Sequence, residues 1–337
     1  MSQRLRTAFL GCGSFAHRHA RTLQLLEDDF EMAAFCNRTI DKAAAFSEKY
    51  TNGQAPVFAD YHEMFEQVPM DVVVINLPPY AHTDEVDIAA SLGIHVFIEK
   101  PIALTSEQAW GMVHAAERAG IVTQVGFMFR FGEAIEHLKT MIDSGEAGTV
   151  GLMSARYFCN SLHTPWWRQR DLSGGQLVEQ VIHMVDLMRF LMGEAITVYS
   201  RQENIFHQDV KDYTVEDISA TIFGFPNGGL GVIYATNGAI PQRWINDYRV
   251  VSKNITADFT DANHATFHYT ADPVRSPEVI ASDRDYYLAE MQDFLAAIRS
   301  GRQARIPLRE GAKSLDLALA ATHSAQIRSE VRLTEKG

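Results

Sequence analysis

Cysteine is scarce in this 337-residue chain: Cys12, Cys36 and Cys159 are its three thiols, and no CxxC or close Cys/His spacing joins them. That excludes a disulfide framework and a structural zinc site, and it fits a reducing compartment. Positive charge is short as well, with 30 Lys and Arg against 42 Asp and Glu for a net charge of −12. Such a field repels nucleic-acid phosphates and anionic lipid, so neither nucleic acid nor membrane is an expected partner. No run approaches the roughly 18 apolar residues of a membrane-crossing helix. After Arg4 and Arg6 only Thr7-Ala8-Phe9-Leu10 precedes Gly11, too short a stretch for the apolar region of a secretory signal, and a cytoplasmic protein is expected. Internal repeats, low-complexity tracts and Pro/Ser-rich linkers are also missing, so the halves of the chain are expected to join directly near residues 128–150.

What is present is apolar surface. With 46% apolar, 21% charged and 10% aromatic residues the chain is globular, and its length suggests about two domains. The first 127 residues alternate short apolar runs with helix-spaced patterns, the sequence form of βαβ units. Strands are predicted at Thr7–Leu10, Met32–Phe35, Val72–Leu77, Val96–Ile98 and Val122–Phe127. Helices are predicted at Phe15–Leu26, Ile40–Tyr50, Thr83–Leu92 and Ser106–Ala119, the last opened by a Thr105/Gln108 capping box. After a helix at Ala134–Ile142 the texture changes to longer strands, such as Ile218–Phe225 and Leu230–Thr236 around a Pro226-Asn227-Gly228-Gly229 turn. Further helices are read at Leu177–Met192, Tyr286–Arg299 and Glu310–Ile327. The predicted class is α/β, a doubly wound parallel sheet over 1–127 followed by an α+β domain with a large mixed or antiparallel sheet over 128–337.

Gly11-Cys12-Gly13-Ser14-Phe15-Ala16 lies between a predicted strand and a predicted helix, the context that the G-x-G-x-x-G/A dinucleotide fingerprint requires. Gly11 permits the turn, Gly13 lets backbone approach a pyrophosphate, Ala16 allows close packing, and the N–H groups around Ser14 and Phe15 face the phosphates. The acidic residue that holds a ribose 2′-hydroxyl belongs about 20 residues on, and Asn37-Arg38 stands there instead. Without a carboxylate to repel a 2′-phosphate, and with Arg38 to pair with it or stack on the adenine, NADP is favoured, while NAD stays open because Asn37 could hydrogen-bond an unphosphorylated ribose.

Glu99-Lys100-Pro101 follows the strand ending at Ile98, where ligands bind in open α/β sheets. In the later helix, Glu179, His183 and Asp186 fall within roughly a 60° arc of an otherwise apolar surface. Glu179, one turn before His183, would hold one imidazole nitrogen and leave the other to accept a proton. The stretch Asn160–Gln176 has no apolar periodicity and reads as a long functional loop. His264 and His268 are spaced i, i+4 in a strand-rich region, and no metal is expected.

With Leu77-Pro78-Pro79-Tyr80-Ala81-His82, Arg130-Phe131, Trp167-Arg168, Ser173-Gly174-Gly175, Glu179-x-x-x-His183-x-x-Asp186 and Tyr287-x-x-Glu290 in this order, the chain resembles the Gfo/Idh/MocA family of NAD(P)-dependent sugar and cyclitol oxidoreductases. The resemblance implies a Rossmann domain over 1–127 and a substrate-binding and oligomerisation domain over 128–337, with a homodimer or homotetramer formed through the C-terminal sheet. It adds Leu77, Pro78, His82, Glu99, Lys100, Trp167 and Arg168 to the cofactor wall. It implies catalysis by Lys100 and His183; with Glu179 as the partner of His183 and Trp166 as an apolar face for a sugar ring, the expected substrate wall is Lys100, Arg130, Trp166, Glu179, His183 and Tyr287. In that reading the substrate is carbohydrate-like, His183 removes the hydroxyl proton, Lys100 stabilises the alkoxide and hydride passes to the nicotinamide. Two rival functions go with the resemblance: NAD-assisted glycoside cleavage through transient oxidation, and a non-catalytic nucleotide-sensing protein. One departure stands out, since family dehydrogenases commonly carry Asp where this chain has Glu179.

Overall fold

The computed structural model describes residues 3–333, so the outermost residues of both expected domains lie outside it. The chain forms two compact units. One is the chain up to Gly126 together with Tyr287–Ala312, and the other is Phe127–Tyr286 together with the chain from Lys313 on.

The first unit is a six-stranded parallel sheet. Its strands are β1 (Leu5–Leu10), β2 (Phe30–Cys36), β3 (Val57–Phe58), β4 (Val72–Ile75), β5 (His95–Ile98) and β6 (Thr123–Val125), in the order β3-β2-β1-β4-β5-β6. All four residues of β4 are buried, as a strand covered on both faces requires. The crossover helices are α1 (Ala16–Gln24), α2 (Ile40–Thr51), α3 (Tyr61–Gln67), α4 (Glu85–Ser91) and α5 (Ser106–Ala119). The doubly wound Rossmann sheet expected from the sequence is therefore present, with its switch point between β1 and β4.

A single cut at 127/128 is not what the chain does. Met291, Phe294, Leu295, Ala297 and Ala304 join one core with Phe9, Phe35, Phe46 and Phe97, because the first unit needs a helix that its N-terminal segment does not supply. Phe294 lies 5.9 Å from Phe97, ring to ring. At about 2 kcal/mol for each such buried ring, this return is a substantial part of that core.

The second unit opens with α6 (Glu133–Asp143) and is built on a nine-stranded mixed sheet. Its strands are β7 (Val150–Phe158), β8 (Thr197–Glu203), β9 (Ile218–Gly224), β10 (Leu230–Thr236), β11 (Tyr248–Ser252), β12 (Ile255–Phe259), β13 (His264–Tyr269), β14 (Glu278–Ala281) and β15 (Val331–Arg332). They run in the order β14-β13-β12-β11-β7-β10-β9-β8-β15, with β7 and β10 parallel and the other pairs antiparallel. Alternation along β8, β9 and β10 buries Val198, Phe223 and Ile233 and leaves Tyr199, Ile222, Leu230 and Tyr234 exposed. Between β7 and β8 come three helices, α7 (Arg170–Ser173), α8 (Gln176–Glu179) and α9 (Ile182–Met192). α10 (Tyr286–Ser300), all but its first residue in the first unit, and α11 (Leu308–Ile327) come between β14 and β15. Among the described residues no helix is long and apolar enough to cross a membrane.

Candidate active site

In the first unit the glycine loop joins β1 to α1. Gly11 has φ +91°, and a Cβ there would stand 2.7 Å from the Asn76 carbonyl oxygen, so only glycine fits. A Cβ at Gly13 would meet nothing within 4 Å, which leaves open space over the loop. Gly13, Ser14 and Phe15 are exposed, Ala16 is buried, and the first turn of α1 carries no acidic residue. Free N–H groups and a positive helix end without a competing carboxylate are what a pyrophosphate needs.

Asn37 follows β2, and both ends of its amide are engaged: Oδ1 accepts from the Cys12 N–H at 3.1 Å and Nδ2 donates to the Thr39 carbonyl at 3.0 Å. It braces the glycine loop, while Arg38 beside it is exposed. Leu77 and Pro78, half-buried, follow β4 at the switch point. His82 is buried, with Nδ1 at 2.5 Å from Glu85 Oε1, and Glu85 Oε2 accepts from the Thr83 N–H at 2.8 Å. Burial alone would raise the Glu85 pKa, but the His82 hydrogen bond and charge, with the Thr83 N–H, outweigh it and hold it below the ordinary value.

Glu99 and Lys100 follow β5. Glu99 Oε1 lies 2.6 Å from His19 Nε2 in a buried pair, and Oε2 accepts from the Lys100 backbone N–H at 3.2 Å. The carboxylate that precedes the lysine thus fixes the backbone from which Lys100 projects. Tyr287, expected at the substrate wall, belongs to this unit and neighbours the glycine loop: its ring lies 6.0 Å from that of Phe15 and 4.8 Å below the Arg18 guanidinium.

In the second unit the predicted helix Leu177–Met192 is two helices. The N–H of Val181 reaches back five residues to the Gln176 carbonyl at 3.0 Å, a wide turn that ends α8 at Glu179 before α9 starts at Ile182. The stripe of Glu179, His183 and Asp186 on one helical arc is therefore corrected, because only His183 and Asp186 share α9. Tertiary bonds on both residues before the break override the continuous local pattern. Trp167 Nε1 donates to Glu179 Oε2 at 2.7 Å, and Gln180 Nε2 donates to His163 Nε2 at 2.9 Å.

His183 is buried in the first turn of α9, with the rings of Phe129 and Phe127 at 5.2 and 5.9 Å. Arg130, also expected at the substrate wall, is buried, and its Nε and Nη2 donate to the two oxygens of Asp186 at 2.8 and 2.7 Å. Those bonds tie the Met128–Phe131 turn to α9. Arg168 Nε and Nη2 donate to the carbonyls of Leu162 and His163 at 2.7 and 2.9 Å, so this side chain shapes its own loop. Trp166 packs on a small core of Trp167, Tyr213 and Val215.

Sequence reasoning missed the polar layer beneath this loop. Glu216 is buried, accepts the Leu177 N–H at 2.8 Å and Arg170 Nη2 at 2.7 Å, and lies where a Cβ on Gly175 would come within 2.5 Å of its Oε2. Gly175, at φ +101°, is required by that approach. Asn237, buried, accepts from Gln176 Nε2 at 2.7 Å and from the Cys159 thiol at 3.1 Å, and donates to Tyr213 at 3.1 Å. Burial, with the Glu179 charge, pushes the Cys159 thiol up to about 12, and burial chiefly does the same for Cys12 and Cys36. All three are unpaired. No local signal marks Glu216 or Asn237, since both act across more than thirty residues of chain.

His264 and His268 stand on β13 beside separate aspartates, Asp261 at 2.9 Å and Asp258 at 3.6 Å, and among the described residues no group of His, Cys, Asp and Glu is arranged to hold a metal. A recess of about 490 Å³ over β7, β10, β11 and β12 is lined by the pairs of Arg156 with Asp247 and Arg249 with Asp258, and it contains none of the expected site residues.

Residues 5–127 match the model of the oxidoreductase family with the NAD-binding Rossmann fold, and residues 135–256 match the GFO/IDH/MocA C-terminal domain. The chain is similar to the myo-inositol 2-dehydrogenase of Thermotoga maritima, 24% identical over 98% of this chain and 99% of that protein. It is also similar to the D-glucoside 3-dehydrogenase of Escherichia coli, 30% identical over 68% of this chain and 69% of that one. A solved structure of levoglucosan dehydrogenase, in complex with NADH and levoglucosan, has the same fold, with a TM-score of 0.91 at 20% identity over 99% of this chain and all of that one.

Proposed function

The chain belongs to the Gfo/Idh/MocA family of NAD-binding oxidoreductases, and on that premise we propose that it interconverts an alcohol and a ketone on a sugar, a cyclitol or a related polyhydroxylated ring. The observation that carries this reading is a glycine loop, glycine-only at Gly11 and open at Gly13, on the same parallel sheet whose β5 leads into Glu99 and Lys100. The family relatives supply the ring: one is named for myo-inositol and the other for a D-glucoside.

A nicotinamide nucleotide, when bound on the glycine loop, would supply a hydride acceptor for the oxidation and a donor for the reverse. His183 takes the hydroxyl proton in the oxidation and returns it in the reduction, while the Lys100 ammonium stabilises the charge that develops on oxygen. Glu179 aligns the imidazole. The glycine loop with Ser14, Phe15 and Ala16, Leu77, Pro78 and His82 at the switch point, and Arg168 make up the cofactor wall in this reading, whereas the Trp167 indole N–H, expected there too, is taken by Glu179.

NADP is the preferred nucleotide in this proposal. No carboxylate follows β2, Asn37 is engaged in bracing the loop, and exposed Arg38 is available to a 2′-phosphate. We further assign a homodimer or homotetramer through the open face of the second sheet, supported by exposed Tyr199, Ile222, Leu230 and Tyr234, and a cytoplasmic location, supported by three unpaired thiols.

Incubation with myo-inositol, methyl glucosides and levoglucosan, with NAD or NADP, tests the function through the absorbance of the reduced nicotinamide. Substrate-dependent reduction is expected. Cleavage of an aryl glucoside with no net reduction would replace the proposal with transient oxidation, and nucleotide binding without turnover of any polyol would replace it with sensing.

A further inference from the structure

We propose that Trp167 is a positioning residue for Glu179, and that the uncharged ring of His163 holds it in that role. This rests on the reading above that Glu179 serves the proton-transferring histidine. Trp167 is 2% exposed, and its indole has one polar atom, a donor that accepts nothing. That atom donates to Glu179 Oε2 at 2.7 Å, a length typical of a hydrogen bond to a charged acceptor. The carboxylate it holds ends α8, at the point where the helical ladder opens before α9. A glutamate there has three side-chain torsions to settle, and a buried indole with two settles them for it.

The remainder of the one-turn helix is tied as firmly. Gln176, its first residue, is held by Asn237 at 2.7 Å, and the Leu177 N–H by Glu216 at 2.8 Å. Behind the indole stands His163, whose ring centroid lies 4.2 Å from that of Trp167 and whose Nε2 accepts from Gln180, the residue after Glu179. Because Nε2 is an acceptor, the ring is neutral with its proton on Nδ1. Burial favours that neutral form and the Arg168 charge adds to it, against the opposite pull of Glu179 and the Asn237 amide. A protonated His163 would lose its bond to Gln180 and compete with the indole for the Glu179 charge.

The inference also gives the glutamate a reason. An aspartate on the same backbone would place its carboxylate roughly 1.5 Å, one carbon–carbon bond, farther from the indole N–H and break the contact. The longer side chain and Trp167 belong together. The effect of Trp167 on turnover passes through Glu179, since its one polar atom is engaged there and not with a nucleotide.

The test needs no known substrate for its first arm. In protein labelled with 15N-tryptophan, the four indole N–H signals of the chain's four tryptophans are compared between the wild type and Trp167→Phe, which keeps a ring and assigns the Trp167 signal by its loss. The expected signal lies downfield of the other three, exchanges slowly with water, and moves upfield in Glu179→Gln. A signal indifferent to Glu179→Gln overturns the proposal, and this comparison holds even if Trp167→Phe folds poorly, because Glu179→Gln keeps the indole.

The second arm uses myo-inositol and methyl glucosides with either nucleotide. Trp167→Phe is expected to lower kcat about tenfold with the nucleotide KM within a factor of two, and to cost nothing further in the Glu179→Gln background. Independent, multiplying losses, or a raised nucleotide KM, would make Trp167 a structural or cofactor residue. If Glu179→Gln alone turned over at the wild-type rate, the role of Glu179 in the proposed function would fail, and the indole signal would show separately whether the bond exists.

Discussion

Two carboxylates, Glu99 in the first unit and Glu179 in the second, each follow or end a short element, and they are held in contrasting ways. Glu99 meets an imidazole at 2.6 Å and its own neighbour's N–H at 3.2 Å, inside a core where His19 also packs on Phe97. Glu179 meets an indole. An imidazole can take on charge and answer the carboxylate with a full positive countercharge, whereas an indole can only orient it. The first arrangement locks a backbone in place, and the second fixes the direction of a carboxylate without supplying a countercharge. One chain thus uses the same functional group as a structural anchor beside the glycine loop's core and, in the proposed function, as a partner of the proton-transferring histidine.

The largest expected effect lies next to the anchor. Lys100→Met should lower turnover by about a thousandfold while leaving nucleotide affinity within a few-fold, because in the proposed function the ammonium acts on charge present only in the transition state. Calorimetric titration beside steady-state rates separates the two, and equal losses would make Lys100 a nucleotide ligand.

The second experiment exchanges stability for rate. Glu99→Ala should cost about 3 kcal/mol of folding free energy by stranding buried His19, a group that can carry charge, whereas Glu179→Ala, which strands only the neutral Trp167 indole N–H, should cost about 1–2 kcal/mol and remove most turnover. Denaturant unfolding of both variants is the measurement. Similar stabilities would erase the contrast between the anchor and the histidine's partner.

A smaller effect is expected at the nucleotide's ribose. Arg38→Ala should weaken NADP about tenfold and leave NAD unchanged, read by titration of each, and an unchanged NADP affinity would turn the preference back to NAD.

The smallest effects are in pH, and the two units should part company there. His163 titrates below the ordinary histidine value in the folded protein, first because it is buried, so its contribution is complete above about pH 6.5 and is lost as pH falls toward the folded value. Glu85 also titrates below its ordinary value, through the His82 bond and charge that overcome burial. Its contribution is complete above about pH 4.3 and is lost only as pH falls below that. Unfolding measured from pH 7 to 4 should therefore show a shallow loss beginning near 6.5 that disappears in His163→Gln, with Glu85→Gln affecting only the acid end.

Much of the first unit was legible because its signals are local. The helix at Ser106–Ala119 is observed with those ends, its Thr105 hydroxyl accepting from the Gln108 N–H at 3.2 Å and Gly120 closing it. The strand Leu230–Thr236 is likewise observed as predicted, after a turn in which Asn227 Oδ1 accepts the Gly229 N–H at 2.9 Å. The two-residue β3 and the short α3 escaped, being too brief for periodicity, although Asp60 accepting the His62 N–H at 2.9 Å is a cap that could have flagged the helix. The break between α8 and α9 escaped for a different reason. Gln180 and Val181 are ordinary helix residues, and what parts the helices is a tryptophan twelve residues upstream and a histidine seventeen upstream. Chemistry-bearing residues could thus be named from motif order, while the partners of Glu179, Asn37 and Arg130 required coordinates.

The late return of Met291, Phe294 and Leu295 to the core of Phe9, Phe35 and Phe97 bears on how the protein is made. Domains ordinarily fold in the order of synthesis, the N-terminal one first. Here the nucleotide-binding unit begins before the second one but lacks one wall of its core until Tyr287–Ala312 has emerged. Its sheet must wait, with apolar surface uncovered, while the intervening segment of about 160 residues, Phe127–Tyr286, is translated, and that interval is when a chaperone has most to protect.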